Sequence, residues 1–180
     1  MFLIKIIWRN FFLYNKILLF FIYSYNKLTK KNYKISFILW PPANKLFEII
    51  TNDLSQNYNI DLVKDFHVKA EYFEKFVYDI YRIENASLKK IEFKMSRLMS
   101  DQLNMRLIII KLYKPNLIVQ DLLNNLRCVD AHKIKDYLRK KYKSLIDDYM
   151  FDIIIHSSES EKQSIQINNI INFYSKNPND

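Results

Sequence analysis

Met105-Arg-Leu-Ile-Ile-Ile-Lys-Leu-Tyr113 is an apolar run interrupted only by Arg106 and Lys111. A strand with one face in water alternates apolar and polar residues, so a run this continuous reads as a central strand covered on both faces. Pro115 closes it. Upstream, Ile35-Ser-Phe-Ile-Leu-Trp40 reads as a first strand stopped by Pro41 and Pro42. Proline is tolerated in a first helical turn, and Ala43, Leu46, Phe47, Ile50 and Leu54 then fall on one helical face that ends near Asn57-Tyr58-Asn59. A second strand is expected over Ile60 to Val68. It is followed by a helix with the stripe Tyr72, Phe73, Phe76, Val77 and Ile80, and by another, capped at Ser87, with Leu88, Ile91, Met95 and Leu98.

Downstream of the central run, an irregular stretch leads to a helix over His132 to Leu145. It shows Ile134, Tyr137, Leu138, Tyr142 and Leu145 on one side. A last strand is expected over Met150 to Ile155, and a last helix with Ile167, Ile170, Ile171 and Tyr174. The order β-α-β-α-α-β-α-β-α is close to the β-α-β-β-α-β plan, so the expected class is α+β: a ferredoxin-like antiparallel sheet with additional helices. Its domain spans residues 35 to 176.

Composition narrows the chemistry. The 180 residues include no glycine and a single cysteine, Cys128. Glycine-rich phosphate cradles of the P-loop and Rossmann kinds are therefore excluded, and turns with positive φ must use Asn, Asp or a strained residue. An intrachain disulfide and cysteine-based metal motifs are excluded as well. No metal site is expected, and His67 and His132 have no motif around them.

The net charge of +9 is uneven, with eight Lys or Arg and no acid from Met1 to Phe47, then 20 basic against 19 acidic residues. The cluster Arg139, Lys140, Lys141 and Lys143 reads as a solvated helix face, so no nucleic-acid partner is expected. Residues 1 to 34 form a basic, apolar N-terminal extension whose longest uncharged stretch, Ile17 to Asn26, is too short to span a bilayer. It reads as a start set too early in the gene, or as an interfacial helix touching a membrane surface, a signal-like element or a targeting presequence. The expected location is cytoplasmic, or membrane-peripheral or organellar if this segment is genuine.

The segment Asp152-Ile-Ile-Ile-His156-Ser-Ser158-Glu159-Ser160 resembles the active-site signature of the nucleoside diphosphate kinase family, Asn-x-x-His-Gly-Ser-Asp followed by a helix. Phe37 to Pro42 looks like that family's first strand and Lys-Pro-Asp turn, and Leu46-Phe-Glu-Ile-Ile50 is similar to a segment of its first helix. Tyr72 to Asp79 resembles the helix with the nucleotide-stacking aromatic, and Met105 to Ile110 the strand before the nucleotide loop. Leu138-Arg-Lys-Lys-Tyr142 matches the Ile-Arg-Gly-Asp-Phe element at three of five positions. The likeness runs from Ile35 to Tyr174.

That resemblance implies ping-pong phosphoryl transfer from a nucleoside triphosphate, with Mg²⁺, through His156 to a diphosphate or other acceptor. It gives Arg139 the phosphate, Phe76 or Tyr78 the base, and Ser158 and Glu159 the turn and the orientation of the imidazole. It also implies homo-oligomers. The alternative is a noncatalytic nucleotide-binding or scaffold domain, because the family's lysine falls on Trp40, its asparagine on Ile153, its glycine on Ser157, its supporting acid on Ile167 and its second arginine on Leu122. Without the resemblance, His156 reads as a hydrogen-bonded structural histidine, Arg139 as a solvated helix residue, and Phe76 and Tyr78 as core.

Overall fold

The computed structural model describes residues 32–100, 103–119, 126–147, 149–150 and 152–176. Residues 1–31 and Leu122 lie outside these. Strand β1 (Asn32–Leu39) leads through a 3-10 turn (Pro41–Leu46) into α1 (Phe47–Asn57), β2 (Asn59–His67), α2 (Ala70–Arg82) and α3 (Leu88–Leu98). Then come β3 (Asn104–Tyr113), the short pair β4 (Leu117–Val119) and β5 (Leu126–Cys128), α4 (Val129–Tyr142), β6 (Ile155–Ser157) and α5 (Glu161–Ser175).

The main sheet has the order β2-β3-β1-β6, every neighbouring pair antiparallel. This is the ferredoxin-like α+β architecture, with additional helices. Strand periodicity divides its core in two. Ile35, Phe37 and Leu39 of β1 with Ile108, Ile110 and Leu112 of β3 meet α1 and α4 on one face. Ile38, Met105, Leu107 and Ile109 meet α2, α3 and α5 on the other. Helices on both faces explain why β3 has almost no polar residue: Ile35 opposite Ile110 and Phe37 opposite Ile108 leave no side for water.

Several expectations about boundaries and faces are corrected. β1 starts at Asn32, three residues before Ile35. The double proline first produces a 3-10 turn, and α geometry sets in at Phe47. The hairpin β4/β5 lies in the stretch read as irregular, because three-residue strands carry too few side chains to show a period. α4 begins at Val129, and Tyr137 and Leu145, placed on its apolar side, are 51% and 60% exposed. On α3, Leu88 is exposed and Lys94 is buried instead.

The last strand differs most. Met150 and Asp152 to Ile154 are not strand, and β6 is the triplet Ile155-His156-Ser157; Phe151 lies outside the described residues. His156 is therefore its middle residue and not the residue after its end. The interruption sits at Asp152, whose φ of 59° breaks extended geometry. Among the described residues Asn85 and Lys114 are the other positive-φ residues, at 54° and 47°. In a chain without glycine these positions fall to Asn, Asp and one strained lysine. Among the described residues no helix is long and apolar enough to cross a membrane.

Candidate functional site

His156 pairs with Ile38 across β1 and β6, so its ring points to the face covered by α2 and α5. There it is 3% exposed. Its ring meets Tyr81 edge-on at 5.0 Å and Trp40 at 6.3 Å, and Trp40 itself stacks on Tyr81 at 5.9 Å and 13°. Nε2 lies 3.5 Å from Glu84 Oε1, a carboxylate just beyond the end of α2. At that length neither atom has a hydrogen-bond partner.

Charge state follows from burial. His156 is pushed well below the usual imidazole range, first by burial and then by Lys135, Lys94, Arg139 and Lys90. Glu84 is pushed up, chiefly by burial. The contact is thus a neutral imidazole beside a carboxylate and not a charged pair. Lys94, 7% exposed, donates to Tyr81 Oη at 3.3 Å and lies 4.9 Å from that ring's centroid. Burial pushes its amine down to about 8. Lys135, also 7% exposed, is lowered for the same first reason.

The residues singled out from the sequence separate into two groups. Arg139 reaches the segment before His156: Nη2 donates to the Ile155 carbonyl at 3.0 Å, and Nη1 lies 3.2 Å from Asp152 Oδ2. Ser158 holds the turn, its N–H donating to Ser36 O at 2.9 Å and its Oγ accepting from Ser36 N at 3.0 Å. Glu159, however, turns away from His156. Its Oε1 is 2.6 Å from His132 Nε2 and 3.3 Å from Arg127 Nη2, and Arg127 also contacts His132 Nε2. Phe76 is fully buried among Trp40, Phe66, Phe73 and Tyr174. Tyr78 instead lines a cleft of about 660 Å³ between α2 and α3, with Lys75, Ile91 and Met95. His156 is not part of that cleft.

Glu84, Lys94 and His132 escaped the sequence reading. Lys94 left a signal, since it follows Ile91 by three residues and precedes Leu98 by four, on the buried stripe of α3. Glu84 left none, because it lies in a helix-terminal turn without a period. It stands where no acid was expected, while Ile167 is fully buried in the core.

The two histidines make acid stability testable. His156 and His132 are both lowered in the fold, burial being the first cause of each. Below about pH 6.5 the unfolded chain takes up protons that the folded chain refuses, so stability is full above that pH and declines as pH falls. The thermal midpoint is expected to drop on acidification from about pH 7 to about pH 5, and His156→Gln should flatten the slope. An unchanged slope would mean that His156 titrates normally in the fold.

No protein-family model and no curated protein matches the chain. Among solved structures it is similar to the nucleoside diphosphate kinase of Aquifex aeolicus, at 12% identity over 78% of this chain and 94% of that one, TM-score 0.48. It is similar also to the Borrelia burgdorferi nucleoside diphosphate kinase, a transition-state mimic with bound vanadate and ADP, at 12% identity, 79% and 88% coverage and TM-score 0.47. A Pyrobaculum aerophilum NDP kinase aligns at 14% identity, 77% and 94% coverage and TM-score 0.45.

Proposed function

We propose that this is a nucleoside diphosphate kinase-like protein that takes a phosphoryl group from a nucleoside triphosphate onto His156 and passes it to a diphosphate or another acceptor. What supports this reading is the placement of His156 in β6, ahead of the Ser158 turn and α5, with Arg139 donating to the neighbouring Ile155 carbonyl at 3.0 Å; burial, then Lys135, Lys94 and Arg139, push the imidazole toward its neutral form. A nucleophilic imidazole must be unprotonated, and the transferred group must be met by positive charge. With Glu84 against Nε2, attack falls to Nδ1. A bond forms from Nδ1 to the γ-phosphorus, the bond from phosphorus to the bridging oxygen breaks, and the diphosphate leaves with that electron pair. Nε2 keeps its proton, with Glu84 Oε1 3.5 Å away as the nearby acid, and the second half-reaction runs the same displacement in reverse toward the acceptor.

Among the described residues no three His, Cys, Asp or Glu side chains are gathered to hold a metal, so Mg²⁺ here would be carried by the phosphates. Bound there, it supplies neutralisation of the phosphate oxygens. The proposed ligands are a nucleotide or another phosphorylated small molecule, with Tyr78 as the stacking ring and a homo-oligomer as the assembly.

A second reading, a noncatalytic nucleotide-binding or scaffold domain, is favoured by the 3% exposure of His156 and by Trp40 in the position of the family's lysine. The two separate on incubation with Mg²⁺ and γ-labelled ATP. Transfer predicts acid-labile, alkali-stable label on the protein; no label, or label that persists in His156→Ala, overturns it.

A further inference from the structure

The cleft between α2 and α3 has the opposite charge to the chain as a whole. Ile91, buried, and Met95 and Tyr78, half-buried, give it an apolar lining, and Glu71, Glu74 and Glu92 stand exposed beside it against the single cation Lys75. Among the described residues none of the three glutamates takes part in an ion pair. Carboxylates elsewhere find cations: Asp61 meets Lys34 and Lys111, Asp65 meets Arg106, and Asp53 meets Lys141. In a chain of net charge +9, three neighbouring acids without a cation, bordering an apolar space of about 660 Å³, fit a partner that is itself apolar and basic.

The same chain contains one. Residues 1–31 hold Lys5, Arg9, Lys16, Lys27, Lys30 and Lys31, no acid, and apolar clusters such as Leu18-Leu-Phe-Phe-Ile22. Lys5, Arg9 and Lys16 recur at intervals of four and seven residues, which on a helix puts them along one face. The segment is long enough to reach. It enters β1 at Asn32, and Glu71 follows β2 at the other end of the sheet, where β1 finishes. That end is about 25 Å away at the rise of a strand, whereas residues 1–31 would extend about 45 Å even as a helix. Tethering also supplies an effective concentration on the order of mM, so a contact partly open to solvent suffices.

We propose that residues 1–31 dock into the α2/α3 cleft of their own chain, with apolar side chains on Tyr78, Ile91 and Met95 and cations against Glu71, Glu74 and Glu92. A docked segment covers Tyr78, so segment and nucleotide exclude one another there. This consequence, unlike the docking, rests on the reading that Tyr78 takes the base.

The full chain carries its own reporter, because its two tryptophans are Trp8, in the segment, and Trp40, fully buried. A nitroxide on Ser96→Cys places a short-range quencher at the cleft, and Cys128 is buried away from the label. Subtracting the emission of the Trp8→Phe variant isolates Trp8. Its emission should fall about twofold or more when the nitroxide is present, equally after tenfold dilution, and should recover with added salt. Glu71→Gln, Glu74→Gln and Glu92→Gln combined should also restore it, with the thermal midpoint unchanged because these side chains are exposed.

Adenosine reads the consequence, since it has no charge on which the removed carboxylates could act. It should bind about fivefold more tightly to the triple variant, as the cleft is freed. Restored Trp8 emission with unchanged adenosine binding supports the docking and tells against Tyr78 as the base ring. The docking is overturned if Trp8 is not quenched, if quenching persists in the triple variant, or if it vanishes on dilution, which assigns the contact to a second copy. A blue shift of Trp8 on vesicles of phosphatidylserine and phosphatidylcholine, without quenching in their absence, assigns the segment to a membrane surface and overturns the docking as well.

Discussion

Trp40→Lys, which places at position 40 the residue that the resemblance would put there, is expected to destabilise the domain by about 4 kcal/mol or more and to produce no gain in labelling. Trp40 is fully buried, stacked on Tyr81 and edge-on to Phe76 and His156. Removing its indole leaves a cavity in a well-packed aromatic cluster, and an ammonium in its place meets rings and no carboxylate. Lys94 already brings a cation to the Tyr81 ring, so a second one adds repulsion. A denaturation midpoint near that of wild type, with stronger labelling, would show that position 40 can serve phosphate.

The second large effect separates two neighbouring aromatics. Phe76→Ala should cost about 3–5 kcal/mol of stability, since its ring is fully buried against Trp40, Phe66, Phe73 and Tyr174. Tyr78→Ala should cost about 1 kcal/mol or less, because its side chain borders an open cleft. Nucleotide affinity should respond in the opposite sense: Tyr78→Ala weakens ATP by about tenfold and leaves tripolyphosphate unaffected, as removal of a stacking ring does. Equal losses for both probes would place Tyr78 outside any base-binding role.

These contrasts mark what could be read from residues alone. The central position of β3 was legible, because burial on both faces removes polar residues from every position between Leu107 and Ile110. The stripe Ile134, Leu138 and Tyr142 was legible for the same reason of periodicity. Tyr137 was not, since an aromatic beside a stripe reads the same whether it is buried or lies over Lys141, as it does here at 5.4 Å. Local signals also stop short of the site. That Glu159 would choose His132 over His156, and that Glu84 would reach the imidazole from the end of α2, depend on how the helices lie on the sheet, which no single segment encodes.

The burial of His156 has a similar origin. As a residue next to a strand end it would be wet, whereas as the middle residue of β6, opposite Ile38, it must face a helix layer. The resemblance in sequence singled out His156, and the sheet register decides its environment: a covered ring on the face of α2 and α5, beside Tyr81 and Trp40.

The most direct measurement is to locate the phosphate in the chain after exposure to Mg²⁺ and ATP, by fragmenting the protein under alkaline conditions, and then to chase with ADP. One phosphate is expected on His156, and it disappears on the chase as ATP is formed. Phosphate on Ser157, Ser158 or His132, or none anywhere in the chain, would contradict it.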